Sequence, residues 1–497
     1  MFGYSQTRNT IKNNFMKKAI VIGAGIGGVS AALRINKLGY DVTVLEGTDT
    51  VGGKLKEFSM DGFRFDRGPS LFTLPHLVEE LFELYNKDVK HYFKYKKHDI
   101  ATNYFYKDGT QFTSYTDAEK FADEIRKVWG VEVNEIMHQI IDDYKKTSPI
   151  FLESGLTKIT DLFTKEVFEA LPVLTRLGWF ETLHQFNKKY FKNDQLVQLF
   201  DRYATYNGSN PYKTPSIMRV ISALEHSDGV FFPEEGMRSI ITSLTTLAEE
   251  EGIKFKFNEK VKAVKHQGGD IKEVATQNNV YHADVFICNA DVNFFIPEVL
   301  NEKIKTPKPK ELSSSAMVFY WGVDHSFEEL DLHNIFFSDD YKKEFTQLFE
   351  ELKIPEDPTI YVHISSKLNK KDAPKGAENW FVMINVPANP ELFTDQKVAE
   401  IENFVKSKLS EFLKVDLHQK VICSKNWTPK TIENDTLSWK GALYGLNSNK
   451  LTHALYRQRN QSNKYKNLYF VGGSVHPGGG IPLCLNSSKI VETLINE

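Results

Sequence analysis

Short, unbroken apolar runs recur at wide intervals along the chain, and most end on glycine or a small polar residue. "KAIVI" at Lys18–Ile22 fits a buried parallel strand, and "GAGIGG" follows it. A stretch from Val29 to Leu38 then has helical period and stops at Gly39, and "DVTVLE" predicts a second strand ending on Glu46. From about Tyr115 to Phe200 the pattern is mostly helical, with few strand signals. "YNGSNPYKTPS", Tyr206 to Ser216, is loop by composition. A helix is expected from Glu234–Met237 to about Glu250, and Ile253 to Phe257 alternates as a half-buried strand should. "ADVFICNAD", Ala283 to Asp291, predicts another buried strand, and residues from about Lys303 to Val421 alternate strand-like runs with polar loops. Near the C-terminus a strand at Leu468–Val471 leads into five glycines within nine residues, and a closing helix is expected over Leu483–Leu494.

Two of these junctions carry chemistry. Gly23-x-Gly25-x-x-Gly28 sits between the first strand and the first helix, which is the setting a dinucleotide fingerprint requires. The first glycine makes the tight turn, the second admits a pyrophosphate to the backbone, and the third lets helix and strand pack closely. Glu46, eighteen residues beyond Gly28, is placed to accept hydrogen bonds from a ribose. Gly52, Gly53 and Lys54 follow the second strand. The glycine pair allows close approach, and Lys54 can reach phosphates or a ribityl chain, the alternative being a solvated surface cation. "FRFDRGPS" predicts another tight turn through Gly68 and Ser70.

At 497 residues the chain calls for two or three domains. A net charge of -3 gives no reason to expect nucleic acid. Three scattered cysteines provide neither a disulfide framework nor zinc spacing, so no metal is expected and a reducing cytoplasm is the simplest reading. No uninterrupted apolar run approaches the roughly 18 residues of a spanning helix. Residues 1–15 are polar and read as an extension outside the fold, with Met16 as an alternative start. Phenylalanine is frequent, 36 against 6 Trp and 21 Tyr, which suits a large apolar interior or lining. "ALPVLTRLGWFETLHQFNKKYF", Ala170 to Phe191, is basic and amphipathic. It fits either a membrane-interface helix or a surface helix with its apolar face inward.

Taken together, the glycine motif, the acid, the double glycine with lysine and the "FDRGPS" turn resemble the FAD-containing amine oxidase and phytoene desaturase superfamily. The resemblance implies an α/β fold with a Rossmann-like FAD-binding domain built from discontinuous segments, 17–95, 228–300 and 424–497. Segments 96–227 and 301–423 would form an α+β substrate domain carrying a helical, membrane-facing region. It also implies that Ser70 and Leu71 contact the flavin or ribityl chain and that Val261 touches the adenine through its backbone. Asn289 would close the cofactor cleft, with turn formation as its plainer role, and Leu443 would lie against the flavin.

"GGSVHPGGGIP" narrows the resemblance. Gly473 and Ser474 stand where many flavin oxidases of the superfamily carry an acid, and the segment is similar to carotenoid desaturases. Amides of Gly480 and Ile481 would open the last helix under the flavin, where positive helix-end potential favours the reduced, anionic form. His476 is the tentative catalytic group, either exchanging a proton near the flavin or merely packing and capping. "FDRGPSLFTLPHLVEELFEL" and "ATYNGSNPY" resemble the hydroxycarotenoid 3,4-desaturases more than the phytoene desaturases. The activity implied is hydride transfer from a carotenoid to FAD, with 3,4-desaturation of a 1-hydroxycarotenoid preferred over conversion of phytoene. A flavin-free prenyl-lipid carrier of the dissociation-inhibitor type and an oxidase of small amines or porphyrinogens are the alternatives. A forty-carbon polyene is held in lipid by tens of kcal/mol at about 0.8 kcal/mol per CH₂. Peripheral binding to the inner face of the cell membrane through the helical middle region is therefore expected.

Overall fold

In this computed structural model the described residues are 16–150, 181–450, 452, 453 and 457–497. The polar extension 1–15 and residues 170–180, half of the amphipathic stretch expected at 170–191, lie outside them.

Lys18–Ile22 and Val285–Cys288 are apolar on both faces because they sit inside a five-stranded parallel sheet. The order across it is Leu468–Phe470, Val285–Cys288, Lys18–Ile22, Asp41–Leu45 and Lys254–Lys256, every neighbour parallel. Ile22 stands opposite Leu45 on one side and Cys288 on the other, and Cys288 in turn opposes Phe470. Three distant stretches of chain thus end together at one edge. Helix Ile26–Lys37 starts directly beyond Gly25 and packs against Arg238–Glu250 and the closing helix Ile481–Asn496. Its buried Arg34 bonds Glu492 at 2.8 Å and Glu80 at 3.2 Å, fixing the closing helix to the first.

The second sheet has seven strands: Val421–Trp427, Ser315–Val323, Glu378–Val386, Ile360–His363, His333–Phe336, Ile100–Phe105 and Gln111–Tyr115. All neighbours are antiparallel except His333–Phe336 with Ile100–Phe105. Alternate residues divide between its faces. Phe319, Trp321, Trp380, Val382 and Val362 pack under helix Asp395–Leu413, through Val398, Ile401, Val405 and Leu409. The opposite face carries Val318, Met383, Tyr361 and Ile335 in one cross-strand row and Tyr320, Phe381, His363 and His333 in the next. The boundary expected at 423/424 falls inside strand Val421–Trp427, which stays whole because it pairs from Val318↔Trp427 to Val323↔Val421. The hairpin Glu57–Met60 and Phe63–Asp66 also leans on this sheet, with Phe63 and Phe65 packed on Val318, Tyr320 and Phe381.

Helices Ala118–Trp129, Asn134–Ser148, Leu183–Phe191 and Asp194–Asp201 form a block over the far end of the second sheet. Leu183–Phe191 buries Leu183, Phe186 and Phe191, so this part of the amphipathic stretch takes the inward-packing alternative. Among the described residues no helix is long and apolar enough to cross a membrane.

A Cβ on Gly28 would lie 2.0 Å from the Gly23 carbonyl oxygen, inside the join of first strand and first helix. Gly28→Ala is expected to cost about 3 kcal/mol by overpacking, read as a lower denaturation midpoint.

Candidate active site

The turn after the first strand is built to bring backbone close to a ligand. Gly23 adopts φ +97° and its N–H donates to the Leu45 carbonyl at 2.8 Å. Ala24 N–H donates to Glu46 Oε2 at 2.8 Å, while Thr48 N–H donates to Glu46 Oε1 at 2.9 Å. The carboxylate expected to meet a ribose is thus fixed at the end of its strand by the glycine turn itself. Gly52 N–H donates to the Ala24 carbonyl at 2.9 Å, which brings the second glycine pair alongside the first. Arg238 pins this loop by donating to the Val51 carbonyl at 2.9 Å, the Leu55 carbonyl at 3.2 Å and Thr50 Oγ1 at 2.9 Å. Asp66 of the "FDRGPS" turn accepts the Met237 and Arg238 N–H groups and pairs with Arg64, so it caps helix Arg238–Glu250. Gly68 has no room for a side chain: a Cβ there would meet the Lys54 carbonyl oxygen at 1.9 Å.

The last strand and helix close the same cleft. Gly472 N–H donates to Ser487 Oγ at 2.9 Å, and Asn460 Nδ2 donates to the Phe470 and His476 carbonyls at 3.1 and 2.9 Å. His476 N–H donates to the Gln458 carbonyl at 3.0 Å, so its backbone is held on both sides. Gly480 opens the closing helix at φ +112°, with no side-chain cap and no acidic residue in the first turn. That end, through Gly480, Ile481, Pro482 and Leu483, faces a cavity of 560 Å³.

The cavity runs from Gly25, Gly52, Gly53 and Lys54, past Gly68, Ser70 and Leu71, to an apolar interior of Ile217, Leu224, Ile335, Phe381 and Met383. Asn289, Leu443, Gly473 and His476 also line it. Gly23, Gly28, Glu46 and Val261 stand behind its wall. Val261 is buried against Ile22, Leu45 and Phe286. Several lining residues escaped sequence reasoning. Asp291 presents a half-buried carboxylate to the cavity, although the glycine loop lacks the acid usual in flavin oxidases. Its oxygens accept the Asn293 and Trp439 N–H groups. Arg457 donates to the Tyr444 and Leu446 carbonyls at 2.8 and 3.1 Å, and Tyr361 and His333 form the polar part of the sheet face. Each lies in a strand or turn whose pattern alone looks structural.

Lys54 reaches across the cleft and donates to the Leu443 carbonyl at 2.9 Å. Burial lowers its pKa, partly offset by Asp291 and Cys484, and burial raises that of Asp291 despite its two N–H donors and Lys54. Burial likewise brings Arg457 down to about 10 and pushes the Cys484 thiol up to about 11. On the sheet face, burial holds His333 well below the usual imidazole range and His363 at about 3, with their mutual repulsion adding to the effect on His333. Arg202, deeper in the cavity wall, lies 4.7–5.2 Å from the ring centres of Tyr104, Tyr203 and Tyr206 and 3.5 Å from Glu225.

A five-stranded parallel sheet with a glycine-lined cleft, an uncapped helix end and an adjoining apolar cavity defines a flavoprotein oxidoreductase. The cradle fits FAD: Gly25, Gly27 and Gly472 leave no space for a Cβ beside the Asn289 amide, and the open helix end suits the electron-rich edge of a flavin. The chain belongs to the flavin containing amine oxidoreductase family, which matches residues 26–491, and FAD is its cofactor. It is 45% identical over 97% of its length, and 99% of the relative's, to the 1-hydroxycarotenoid 3,4-desaturase of Flavobacterium sp. (strain P99-3). It is 30% identical, over 98% of this chain and 99% of the relative, to the 4,4'-diapolycopene oxygenase of Methylomonas sp.. Solved structures share the fold at low identity. Putrescine oxidase bound to putrescine aligns with TM-score 0.63 at 12% identity, over 97% of this chain and 99% of that one. An oxidoreductase from Methanosarcina mazei aligns with TM-score 0.59 at 15% identity, over 95% and 99%.

Two outcomes follow from the buried charges. Lys54→Met is expected to fold but to hold FAD about 10-fold more weakly, the effect of losing the half-buried hydrogen bond that ties Lys54 to the Leu443 segment, read by fluorescence of released flavin. His333 and His363 stay neutral when folded but protonate in the unfolded chain below about pH 6.5. The unfolded state therefore binds more protons there. Stability is expected to fall on acidification by about 1.4 kcal/mol per pH unit for each histidine, down to about pH 3 for His363. Denaturation curves between pH 6.5 and 4.5 should show the slope, and His363→Phe should flatten it.

Proposed function

We propose that the chain desaturates a carotenoid, preferentially across C3–C4 of a 1-hydroxycarotenoid, with phytoene as the less favoured substrate. What carries this reading is the single cavity that joins the glycine cradle to an apolar interior, in a chain so similar to a 1-hydroxycarotenoid 3,4-desaturase. FAD, when bound, supplies the two-electron hydride acceptor. The protein's part is to bind and orient. Gly25, Gly53 and the start of helix Ile26–Lys37 take the pyrophosphate, Glu46 the ribose and the Val261 backbone the adenine. Ser70, Leu71, Leu443, Gly473, Gly480 and Ile481 surround the ring, and Lys54 ties two of these segments together. Ile217, Leu224, Phe381 and Met383 exclude water from a hydrocarbon chain. Loss of hydride leaves a cation spread over the polyene, so little acid–base help is needed, and His476 is the imidazole at the cofactor end of the cavity.

A polyene cannot leave lipid for water at a useful rate, so the same reading includes docking on the inner face of the cell membrane. Purified protein is expected to carry bound FAD, to float with liposomes, and to give a red-shifted product from an embedded 1-hydroxycarotenoid. A protein that neither carries nor accepts FAD overturns the enzyme reading. Red-shifted product from phytoene alone overturns the choice of substrate.

A further inference from the structure

The cavity-facing side of the second sheet contains a hydrogen-bonded chain of side chains that starts from Ser70 at the cofactor and continues through two residues, Tyr361 and His333, to which cofactor binding assigns no role. Ser70 Oγ lies 2.8 Å from Tyr361 Oη, and Tyr361 Oη lies 2.7 Å from His333 Nδ1. All three residues line the cavity. The cross-strand row runs Trp427, Val318, Met383, Tyr361, Ile335 and Tyr104, so the Tyr361 hydroxyl stands between two apolar neighbours, Met383 and Ile335. His333 Nε2 is buried with no partner, so the imidazole's bonding is spent on Tyr361.

Location gives this chain its meaning. Ser70 belongs to the turn whose Gly68 is pressed against the Lys54 carbonyl, at the cofactor end of the cavity. In a substrate hydroxylated at C1 and oxidised at C3–C4, three bonds of about 1.5 Å separate the oxygen from C3. The hydroxyl must therefore lie beside the reacting bond and beside the cofactor, not at the remote end of the cavity. There it would be surrounded by Ile335, Phe381 and Met383, where an unpaired hydroxyl is costly.

We propose that the Ser70–Tyr361 pair, positioned by His333, binds the C1 hydroxyl of the substrate and makes the enzyme prefer hydroxylated over unhydroxylated polyenes. The proposal rests on the substrate reading above. Tyr361 Oη has one donor and two acceptor sites, and its two neighbours take two of the three. The remaining site, with that of Ser70, can receive the alcohol as donor and acceptor together. Met383 and Ile335 on either side keep competing water out. Tyr361 is in this sense a specificity-determining residue and His333 a positioning residue.

The test uses flavin-loaded protein and liposomes containing either a 1-hydroxycarotenoid or the matching polyene with hydrogen in place of the hydroxyl. Affinity is read from quenching of tryptophan fluorescence, Trp427 being part of the cavity wall, and turnover is read separately from product absorbance. Wild-type protein is expected to favour the hydroxylated polyene. Tyr361→Phe is expected to reduce that ratio of affinities about 10-fold, the size of one lost hydrogen bond. Ser70→Ala should reduce it in the same direction and decides the matter if the tyrosine variant does not load flavin. A wild-type preference left intact in both variants overturns the proposal alone. Wild-type protein that binds both polyenes equally overturns the 1-hydroxy substrate reading and the proposal with it.

Discussion

The whole site depends on one crowded spot, the Asn289 side chain at the end of strand Val285–Cys288. Cβ atoms on Gly25, Gly27 and Gly472 would come within 2.8, 2.8 and 2.6 Å of its amide, and one on Gly28 within 3.2 Å. These glycines come from the first and last pieces of the chain, and Asn289 from the middle piece. Three segments separated by hundreds of residues can converge there only because side chains have been removed from both sides of one amide. Close convergence in turn sets the positions of the two helix starts, at Ile26 and Ile481, that point into the same cleft. With both N-termini fixed, a ligand carrying negative charge at two places along its length is held without a cation in the first turn of either helix.

The second constraint follows from putting a water-excluding cavity beside that cleft. A sheet face lends one residue in two to such a wall, and here the other half is committed to the core under helix Asp395–Leu413. Polar residues on the cavity face must then satisfy one another. Tyr361 does so with Ser70 and His333, and Tyr320 donates to the Arg67 carbonyl at 2.6 Å. Lys54 and Arg457 use main-chain carbonyls as partners, which ties loops together without adding negative charge to the cavity.

Much of this architecture was legible because it is local in sequence. The Gly23–Gly28 turn, the strand ending on Glu46, the Gly52–Gly53 pair and the closing strand and helix each declare themselves within a few residues, since each glycine answers a steric demand of its own neighbourhood. Asn289 was legible as the polar end of an apolar strand, although the crowding around it was not. The polar lining is a different matter. Tyr361, His333 and His363 sit in strands whose alternation reads as ordinary core, and only the pairing His333↔His363 and Ile335↔Tyr361 brings them together. Asp291 was hidden for the opposite reason. The sequence lacks an acid at Gly473–Ser474, but a carboxylate from another strand end reaches the same cavity and holds the Asn293 and Trp439 amides. The cut expected at 423/424 falls within strand Val421–Trp427, whose pairing with Ser315–Val323 no local pattern announces.

Electrostatic balance explains why a buried arginine is compatible with this cavity. A lone cation among apolar residues would repel any positive charge developing on a bound hydrocarbon, and burial would penalise the cation itself. Arg202 is not alone. Glu225 lies 3.5 Å away and also accepts from Tyr203 at 2.8 Å and from Tyr206, while three tyrosine faces surround the guanidinium. The carboxylate cancels its net charge and the ring faces present their negative quadrupoles to it. The charge stays on Arg202 despite burial, because the neighbouring tyrosines and Glu225 oppose its loss. The cavity wall therefore gains a hydrogen-bonded knot between the turn Arg202–Asn207 and segment 224–228 without acquiring a net field along its length. With Arg202 paired and His333 neutral, the apolar end of the cavity leaves the cofactor cleft, with its two converging helix ends, Lys54 and Arg457, as the main source of directed electrostatic potential. That division suits a reaction in which negative charge moves toward the cleft and positive charge remains dispersed in the apolar chain.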